Sequence, residues 1–366
     1  MSLNAVIFGA HNKKHIKDFL ALPGRLYDSG ELMQNEKEEL ALLMGNHVLS
    51  HYFTVTPILV YEGGNAVSRG ILTVYPEDDV AHLGFFESEN NSAAAGLLFQ
   101  TAFEMVRNMG LKRIVGPVDC SFWIKYRLKT NQFGSPYTGE PYNKDYYLKL
   151  WEENGFQVLE QYSSNHYMVV KNDEGCEKYM NRLAQKLEQG YEIKSPRPKD
   201  FHKTMREVYG LLIELYSVFP TYKRITEAEF CKQFQYLKSI LNFSMVKMAY
   251  YQGEAVGFFV SVPNFGNAVY GKIHLWELPA ILAKKKKPDS YVMLYMGVNP
   301  KHKGLGSAFA EAIRSELKIQ RVPSVGALIR NGNYSQNYVK KLIDFTYEYV
   351  LLERDYEEKS VNTDLL

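Results

Sequence analysis

The sequence predicts an α/β protein (α+β in stricter usage) in which one domain is written twice. Three observations predict it. Short apolar strands and amphipathic helices alternate along the whole chain. A strand–glycine turn–strand signature occurs once in each half, at a matching place. The length, 366 residues, suits two domains at about 100 to 200 residues each. Hydrophobic residues at 46% and charged residues at 23% exclude a mainly disordered chain. With 43 Lys and Arg against 41 Asp and Glu the formal charge is +2, too small to steer the molecule toward nucleic acid or an anionic membrane.

In the first half, a strand at Ala5 to Phe8 precedes a helix at His15 to Leu22. Ile58 to Tyr61 then runs through Glu62-Gly63-Gly64 into Ala66 to Leu72, a hairpin pattern. A strand from Val80 to Phe86, a loop from Glu87 to Asn91 and a helix from Ser92 to Met109 follow. The half closes with a helix, Asp145 to Asn154, leading into Phe156. In the second half, Tyr191 to Ile193 precedes a helix from Phe201 to Phe219, with Met205, Val208, Leu212 and Leu215 at helical spacing. Met248 to Tyr251 turns at Gln252-Gly253 into Glu254 to Phe259. Tyr291 to Val298 reads as a strand, Asn299 to Lys303 as a loop and Gly304 to Gln320 as a helix. A closing helix from Ser335 to Ile343 leads into Tyr347. First strand and hairpin are separated by 56 residues in one copy and 59 in the other. The second copy carries extra material from Pro263 to Asp289. Domains are therefore expected at 1–172 and 173–366, joined where charge and Gly175 interrupt the apolar pattern between Lys171 and Glu177.

Cys120, Cys176 and Cys231 are far apart and form no CxxC pair, so isolated reduced thiols are expected, with no disulfide framework and no metal site. The N-terminus lacks a basic segment followed by a long apolar one, and no stretch reaches the ~18 apolar residues of a membrane span. The expectation is a soluble, cytoplasmic protein with no membrane partner.

The segment with most chemical content is Val298-Asn299-Pro300-Lys301-His302-Lys303-Gly304-Leu305-Gly306-Ser307. A strand ends, proline turns the chain, and two glycines open a helix whose apolar face is Leu305, Phe309, Ile313 and Leu317. Glycines at a helix start let backbone N–H groups approach an anion, and the helix dipole favours phosphate there. Lys301, His302 and Lys303 add cationic character. The loop lacks the Gly-Lys-Ser/Thr ending of a Walker loop, and Phe309 stands where a dinucleotide fingerprint has its third glycine.

This segment resembles the acyl-CoA loop of the GNAT superfamily, the acetyl-CoA-dependent N-acyltransferases: Val-x-Pro, then Gln/Arg-x-x-Gly-x-Gly/Ala, with Lys301 in place of the usual Gln or Arg. Ala327 to Asn333 resembles the family's next strand and its asparagine. Tyr142 to Tyr147 with Glu153-Asn154-Gly155-Phe156 resembles its closing helix, and the chain as a whole is similar to tandem bacterial GNAT proteins. The resemblance implies two GNAT-like domains, each a mixed, mostly antiparallel sheet flanked by helices. It implies an acyl-CoA cosubstrate, acetyl-CoA by family habit, with pyrophosphate on the amides of Lys303, Gly304, Leu305, Gly306 and Ser307. Pantetheine would lie on Met296, Gly297 and Val298, with Lys301 and Asn333 also at the site. The reaction implied is attack of a small-molecule or peptide amine on the thioester.

The family's acid, a tyrosine about seven residues past the asparagine, would fall at Lys340; Tyr338 is the nearest substitute, with Tyr334 a further one. The family's Gly-Phe is Asp344-Phe345. The strand Tyr291 to Val298 offers no carboxylate as base, which leaves His274 and Glu277 in the extra segment; the same residues also read as part of an amphipathic helix running to Leu282. Lys284 to Lys287 reads as a solvated turn before Pro288 or a contact to a CoA phosphate, and no nucleic-acid partner is expected. In the first copy, Glu87-Ser88-Glu89-Asn90-Asn91-Ser92 has no glycine pair and places carboxylates where phosphate would lie. That copy is expected not to bind CoA in the same way. Its segment Gly116 to Tyr142, with Trp123, Tyr126 and Tyr137, is expected to line a groove. A non-catalytic CoA-binding protein is the alternative function.

Overall fold

The computed structural model describes residues 2–271 and 273–355. Lys272 in the extra segment, and residues 1 and 356–366 at the outer ends of the two expected domains, lie outside the described residues. The strands are β1 (Leu3–Ile7), β2 (Thr54–Glu62), β3 (Asn65–Val74), β4 (Val80–Ser88), β5 (Arg113–Gly116), β6 (Leu128–Lys129) and β7 (Gln157–Tyr167) in the first half. The second half supplies β8 (Tyr191–Lys194), β9 (Val246–Tyr251), β10 (Glu254–Pro263), β11 (Tyr291–Val298), β12 (Ser324–Arg330) and β13 (Ile343–Asp355). Helices are α1 (Lys13–Ala21), α2 (Pro23–Leu26), α3 (Glu36–Leu43), α4 (Ser92–Asn108), α5 (Tyr147–Glu153), α6 (Glu177–Glu188), α7 (Phe201–Leu215), α8 (Glu227–Phe234), α9 (Leu237–Ile240), α10 (Leu278–Lys286) and α11 (Leu305–Gln320).

All thirteen strands share one sheet, in the order β1-β2-β3-β4-β5-β13-β7-β12-β11-β10-β9-β8, with β6 joined to β13. Read from either edge inward, the order is the same. Five strands of one half come first, and then the closing strand of the other half. The long closing strands β7 and β13 pair antiparallel with each other from Tyr167 opposite Ile343 to Gln157 opposite Glu353. Strand β13 then pairs β5, and β7 pairs β12. Among the described residues only β4·β5 and β11·β12 are parallel, and each pairing lasts three residues on each strand.

The two expected hairpins form as two-residue turns. Gly63 and Gly64 have φ of 55° and 87°, and Gln252 and Gly253 have 53° and 85°. Two consecutive left-handed residues match the twist of the flanking strands, which is why glycine recurs there. The predicted closing helix of the second half is not formed. Tyr334–Asn337 and Lys340–Leu342 are short 3-10 turns separated by Val339 at φ 47°, and β13 begins at Ile343. In the first half α5 exits through Gly155 at φ 79°. The second copy has Asp344 before its phenylalanine, and a β-branched residue sits in the left-handed conformation where a helix would have to run. His274 to Glu277 likewise precede α10 as a turn and are not helical.

One hydrophobic cluster joins the halves, with Leu42, Tyr75 and Trp123 in contact with the same core as Phe230, Leu237 and Phe258. Separate clusters lie under α4 and α5 (Leu98, Phe99, Trp151) and under α11 (Leu305, Phe309, Ile313). The centre also holds a buried polar group. Lys129 and Glu140, both with fully buried side chains, pair at 2.6 Å. Glu140 accepts from Tyr349 Oη at 2.7 Å and from the Tyr137 N–H at 3.2 Å, and Tyr137 Oη meets Ser164 Oγ and Tyr349 Oη at 2.9 Å each. Cys120 and Cys176 are buried, and the three cysteines are unpaired.

Two stability predictions follow from these buried groups. Lys129→Met leaves the Glu140 carboxylate buried without its cation and should cost about 3–5 kcal/mol. The double variant with Glu140→Gln should recover most of that loss in urea melts. His82 is 4% exposed with an unpartnered Nδ1, and burial lowers its pKa to about 4. As pH falls through the ordinary value of about 6.5, the unfolded chain takes up the proton first, so stability drops from there toward pH 4. The loss at pH 5 should be about 2 kcal/mol and should vanish in His82→Leu.

Candidate active site

The site is built where β11 and β12 part. They pair only over Tyr291–Met293 and Ser324–Gly326. On β12 the register against β7 then shifts between Gly326 and Ile329, and Leu328 adopts φ 57°. Its N–H donates to Ser164 Oγ of β7 at 2.8 Å, which holds the bulge in place. On the other side, β11 skips Leu294 in its register against β10. Such bulges re-aim a strand where pairing stops. The gap between the two strands is a cleft of about 460 Å³, walled by Leu294 to Val298, by Leu328 to Arg330, and by Ala310, Ile313 and Leu317 of α11. From Leu294 onward the β11 edge facing the cleft has no strand partner, so its backbone groups can pair with an extended ligand.

The start of α11 does not line the cleft itself but adjoins it through Tyr338, which does. Gly304 takes the N-cap position at φ 84°, and no side chain caps this end. The Leu305 N–H, expected to face phosphate, already donates to the His302 carbonyl at 3.2 Å, and the Ala308 N–H donates to the Gly304 carbonyl at 3.3 Å, which leaves the Gly306 and Ser307 amides in the first turn. A Cβ on Gly306 would run into the Tyr338 hydroxyl. Burial raises the pKa of Tyr338, and the Ser307 hydroxyl lies within its hydrogen-bonding reach. Tyr338 therefore sits at the helix end of the cleft, wedged edge-on against Tyr179 and Tyr334.

Most residues singled out from the sequence fall on this geometry. Met296, Gly297, Val298, Asn333 and Tyr338 line the cleft, and Leu305, Gly306 and Ser307 form the helix start. Lys301 and Lys303 are exposed on the loop beside it. His302 is different: its Nδ1 is 2.8 Å from Tyr191 Oη, and burial together with Lys186 and Lys301 lowers its pKa, so it anchors the loop as a neutral ring and adds no charge. His274 and Glu277 are not among the lining residues. The His274 ring stacks on exposed Trp276, and the His274 N–H donates to Glu277 Oε2 at 2.6 Å. Trp123 and Tyr126 do line a cavity beside the cleft, whereas Tyr137 belongs to the buried polar centre. Three contributors escaped the sequence analysis. Arg182 of α6 packs its Cδ 3.0 Å from where a Gly304 Cβ would be, adding a cation to the loop. Tyr216, just past α7, and Tyr295 of β11 line both the cleft and the adjoining cavity. Neither hydroxyl has a protein hydrogen-bond partner among the described residues, and burial raises the pKa of both. A polar-tipped aromatic one step past a helix's apolar face was the signal available for Tyr216.

Nearly the whole chain, 97%, aligns with 98% of a tandem GNAT protein from the clavulanic acid biosynthesis pathway, at a TM-score of 0.53 and 11% identity. The fold is that of a tandem GNAT protein. A GCN5-related N-acetyltransferase from Sphaerobacter thermophilus aligns at a TM-score of 0.48 and 11% identity, over 96% of this chain and 95% of that one. A probable N-acyltransferase from Enterococcus faecalis gives 0.49 and 8%, over 97% and 73%. The sequence matches no family model and no curated protein.

Within the tandem GNAT fold the two halves differ at the equivalent place. The first-half gap between β4 and β5 is filled by the chain itself. Val118 N–H donates to the Leu83 carbonyl at 2.9 Å and Phe85 N–H to Asp119 Oδ1 at 2.5 Å, and a Cβ on Gly84 would collide with the Val118 backbone. The start of α4 is closed too: Asn91 Oδ1 accepts from the Ala93 and Ala94 amides at 3.1 Å. Ser92 does not cap but donates to Glu153. Glu87 is part of β4 and turns inward, accepting from Tyr27 Oη at 2.8 Å and Tyr147 Oη at 2.7 Å, and burial raises its pKa.

Proposed function

We propose that the chain is an acyl-CoA-dependent N-acyltransferase, with acetyl-CoA the simplest donor, acting in the β11–β12 cleft. The observation that carries this reading is the continuity of an unpaired strand edge with an uncapped, glycine-opened helix start. That pairing of features suits a ligand with an amide-rich extended arm and a phosphate end. The residues present fit it. Gly304 and Gly306 have no side chains of their own and let the Arg182 side chain and the Tyr338 hydroxyl close on the helix start, and Lys301, Lys303 and Arg182 supply charge. In this reading the Met296, Gly297 or Val298 N–H polarises the thioester carbonyl, and an amine attacks the carbon. Tyr295 or Tyr216, held protonated by burial, donates a proton to the departing thiolate and takes back the proton that the attacking nitrogen loses as the tetrahedral intermediate collapses. Tyr338 belongs to phosphate binding. His274 and Glu277 take no part.

The cleft and its neighbouring cavity are lined by no Asp, Glu or His among the described residues. That favours an amine which enters already as the free base. It also supports a second reading, a CoA-binding protein without turnover.

Saturation with CoA or acetyl-CoA at about 100 times the dissociation constant should add about 2.7 kcal/mol to stability, read as a shift in thermal melts. Gly306→Glu should abolish the shift, because it puts a carboxylate where phosphate would lie. An unchanged shift in that variant, or none in the parent, rejects the site. For any amine that is acylated, log kcat/KM should rise with unit slope in pH and level off at that amine's own pKa. A second amine of lower pKa should move the plateau down in step. A plateau common to both amines would reveal a base on the protein. CoA binding without acylation across an amine panel would favour the second reading.

A further inference from the structure

Behind β11, between the sheet and helices α7 and α8, lies a cavity of about 160 Å³. It shares Tyr216, Phe219, Leu294, Tyr295 and Leu328 with the cleft, so the two are separated by a single layer of side chains. Its depth is hydrocarbon: Val208 and Leu212 of α7, Phe230 and Phe234 of α8, and Trp123 and Tyr126 from the first half. Protein interiors hold few voids larger than a water molecule, so an apolar void of this size in an aromatic core is a costly feature to keep.

Most polar groups around the cavity are already engaged, although the buried Arg127 Nε has no hydrogen-bond partner. Lys125 pairs with Asp119 at 3.0 Å. The Arg127 guanidinium lies 3.8 and 4.1 Å from the ring centres of Tyr126 and Tyr162. Trp123 Nε1 donates to the Lys223 carbonyl at 2.6 Å and Thr204 Oγ1 to the Asp200 carbonyl at 3.2 Å. An ammonium placed deep inside would find no free carboxylate among the described residues and would lose its hydration, whereas the unpartnered Arg127 Nε is a cationic donor at the wall. The hydroxyls without protein partners are those of Tyr216 and Tyr295, on the wall toward the cleft. A ligand that satisfies this layout has its polar, reacting end at the two tyrosines and a hydrocarbon body behind them. A dry cavity of about 150 Å³ lined by Leu, Ile and Phe takes up benzene, which sets the size of that body.

We propose that this cavity is a specificity pocket for a compact hydrocarbon group, a phenyl ring or a branched chain of about four to six carbons. The group is carried either by the acyl donor or by the amine acceptor. Its role in transfer rests on the acyltransferase reading, whereas its capacity to bind does not.

The test uses the full chain and has two arms. Phenethylamine and isoamylamine, each against methylamine, are compared by thermal shift without CoA and as acceptors of acetyl-CoA. Isovaleryl-CoA and phenylacetyl-CoA are compared with acetyl-CoA for one fixed amine. In at least one arm the bulky member should be preferred by about tenfold or more in kcat/KM, and the arm that responds identifies which substrate carries the group. Val208→Phe, which fills the cavity from α7, should erase that preference while leaving the CoA-induced shift unchanged. Should that variant not fold, Met205→Ala, which enlarges the cavity, should move the preference to a longer chain. Equal use of small and bulky members in both arms, within about twofold, overturns the proposal. If CoA itself does not bind, the acyltransferase reading fails separately. The cavity is then judged by the phenethylamine shift and its loss in Val208→Phe.

Discussion

The pairing of β7 with β13 is the constraint on which the rest of the molecule depends. Each strand closes the sheet of the opposite half, so neither half's central strands are complete without the other. The polar group packed at this junction ties three segments together: the first-half loop through Tyr137 and Glu140, β7 through Ser164, and β13 through Tyr349. Ser164 has a second duty. By accepting from the Leu328 N–H it fixes the bulge that carries β12 away from β11. The same buried network that joins the halves therefore also holds the cleft open. A fully satisfied polar cluster specifies one arrangement, where an apolar one would allow several.

The duplicated fold produces two strand gaps, and among the described residues one is filled and the other is left open. The parallel pairs β4·β5 and β11·β12 both end after three residues, because in each case one strand bulges. In the first half the chain after β5 folds back into the gap, giving the Val118 N–H to the Leu83 carbonyl and accepting the Phe85 N–H on the Asp119 carboxylate. The helix beyond is capped by Asn91, so its dipole end is already satisfied. In the second half no segment among the described residues returns, and Gly304 begins the helix without a side-chain cap. The loop that fills the first gap is put to use elsewhere. Its Trp123 and Tyr126 reach across to wall the cavity behind β11. One half thus supplies the open cleft and the other part of the wall beside it.

Local signals carried a large part of this architecture. Both hairpins were legible because two-residue turns demand left-handed backbone, and glycine supplies it at three of the four positions. The strand Tyr291–Val298 and the start of α11 follow from a proline and two glycines within seven residues. The misses have physical reasons. The segment 335–343 has helical spacing, but without a glycine exit its chain passes straight into β13. His302 sits in a basic run, yet its charge state is decided by Tyr191, more than a hundred residues away.

What the sequence by itself determined is the repeat, its strand–helix order and the glycine-opened loop, because each depends on neighbours within a few residues. Tertiary structure alone decided that the closing strands change places, that Arg182 rather than His302 adds charge beside Gly304, and that Tyr216 and Tyr295 share a wall between cleft and cavity. Those outcomes depend on groups brought together from distant parts of the chain, and on which backbone edges remain unpaired once the sheet is full.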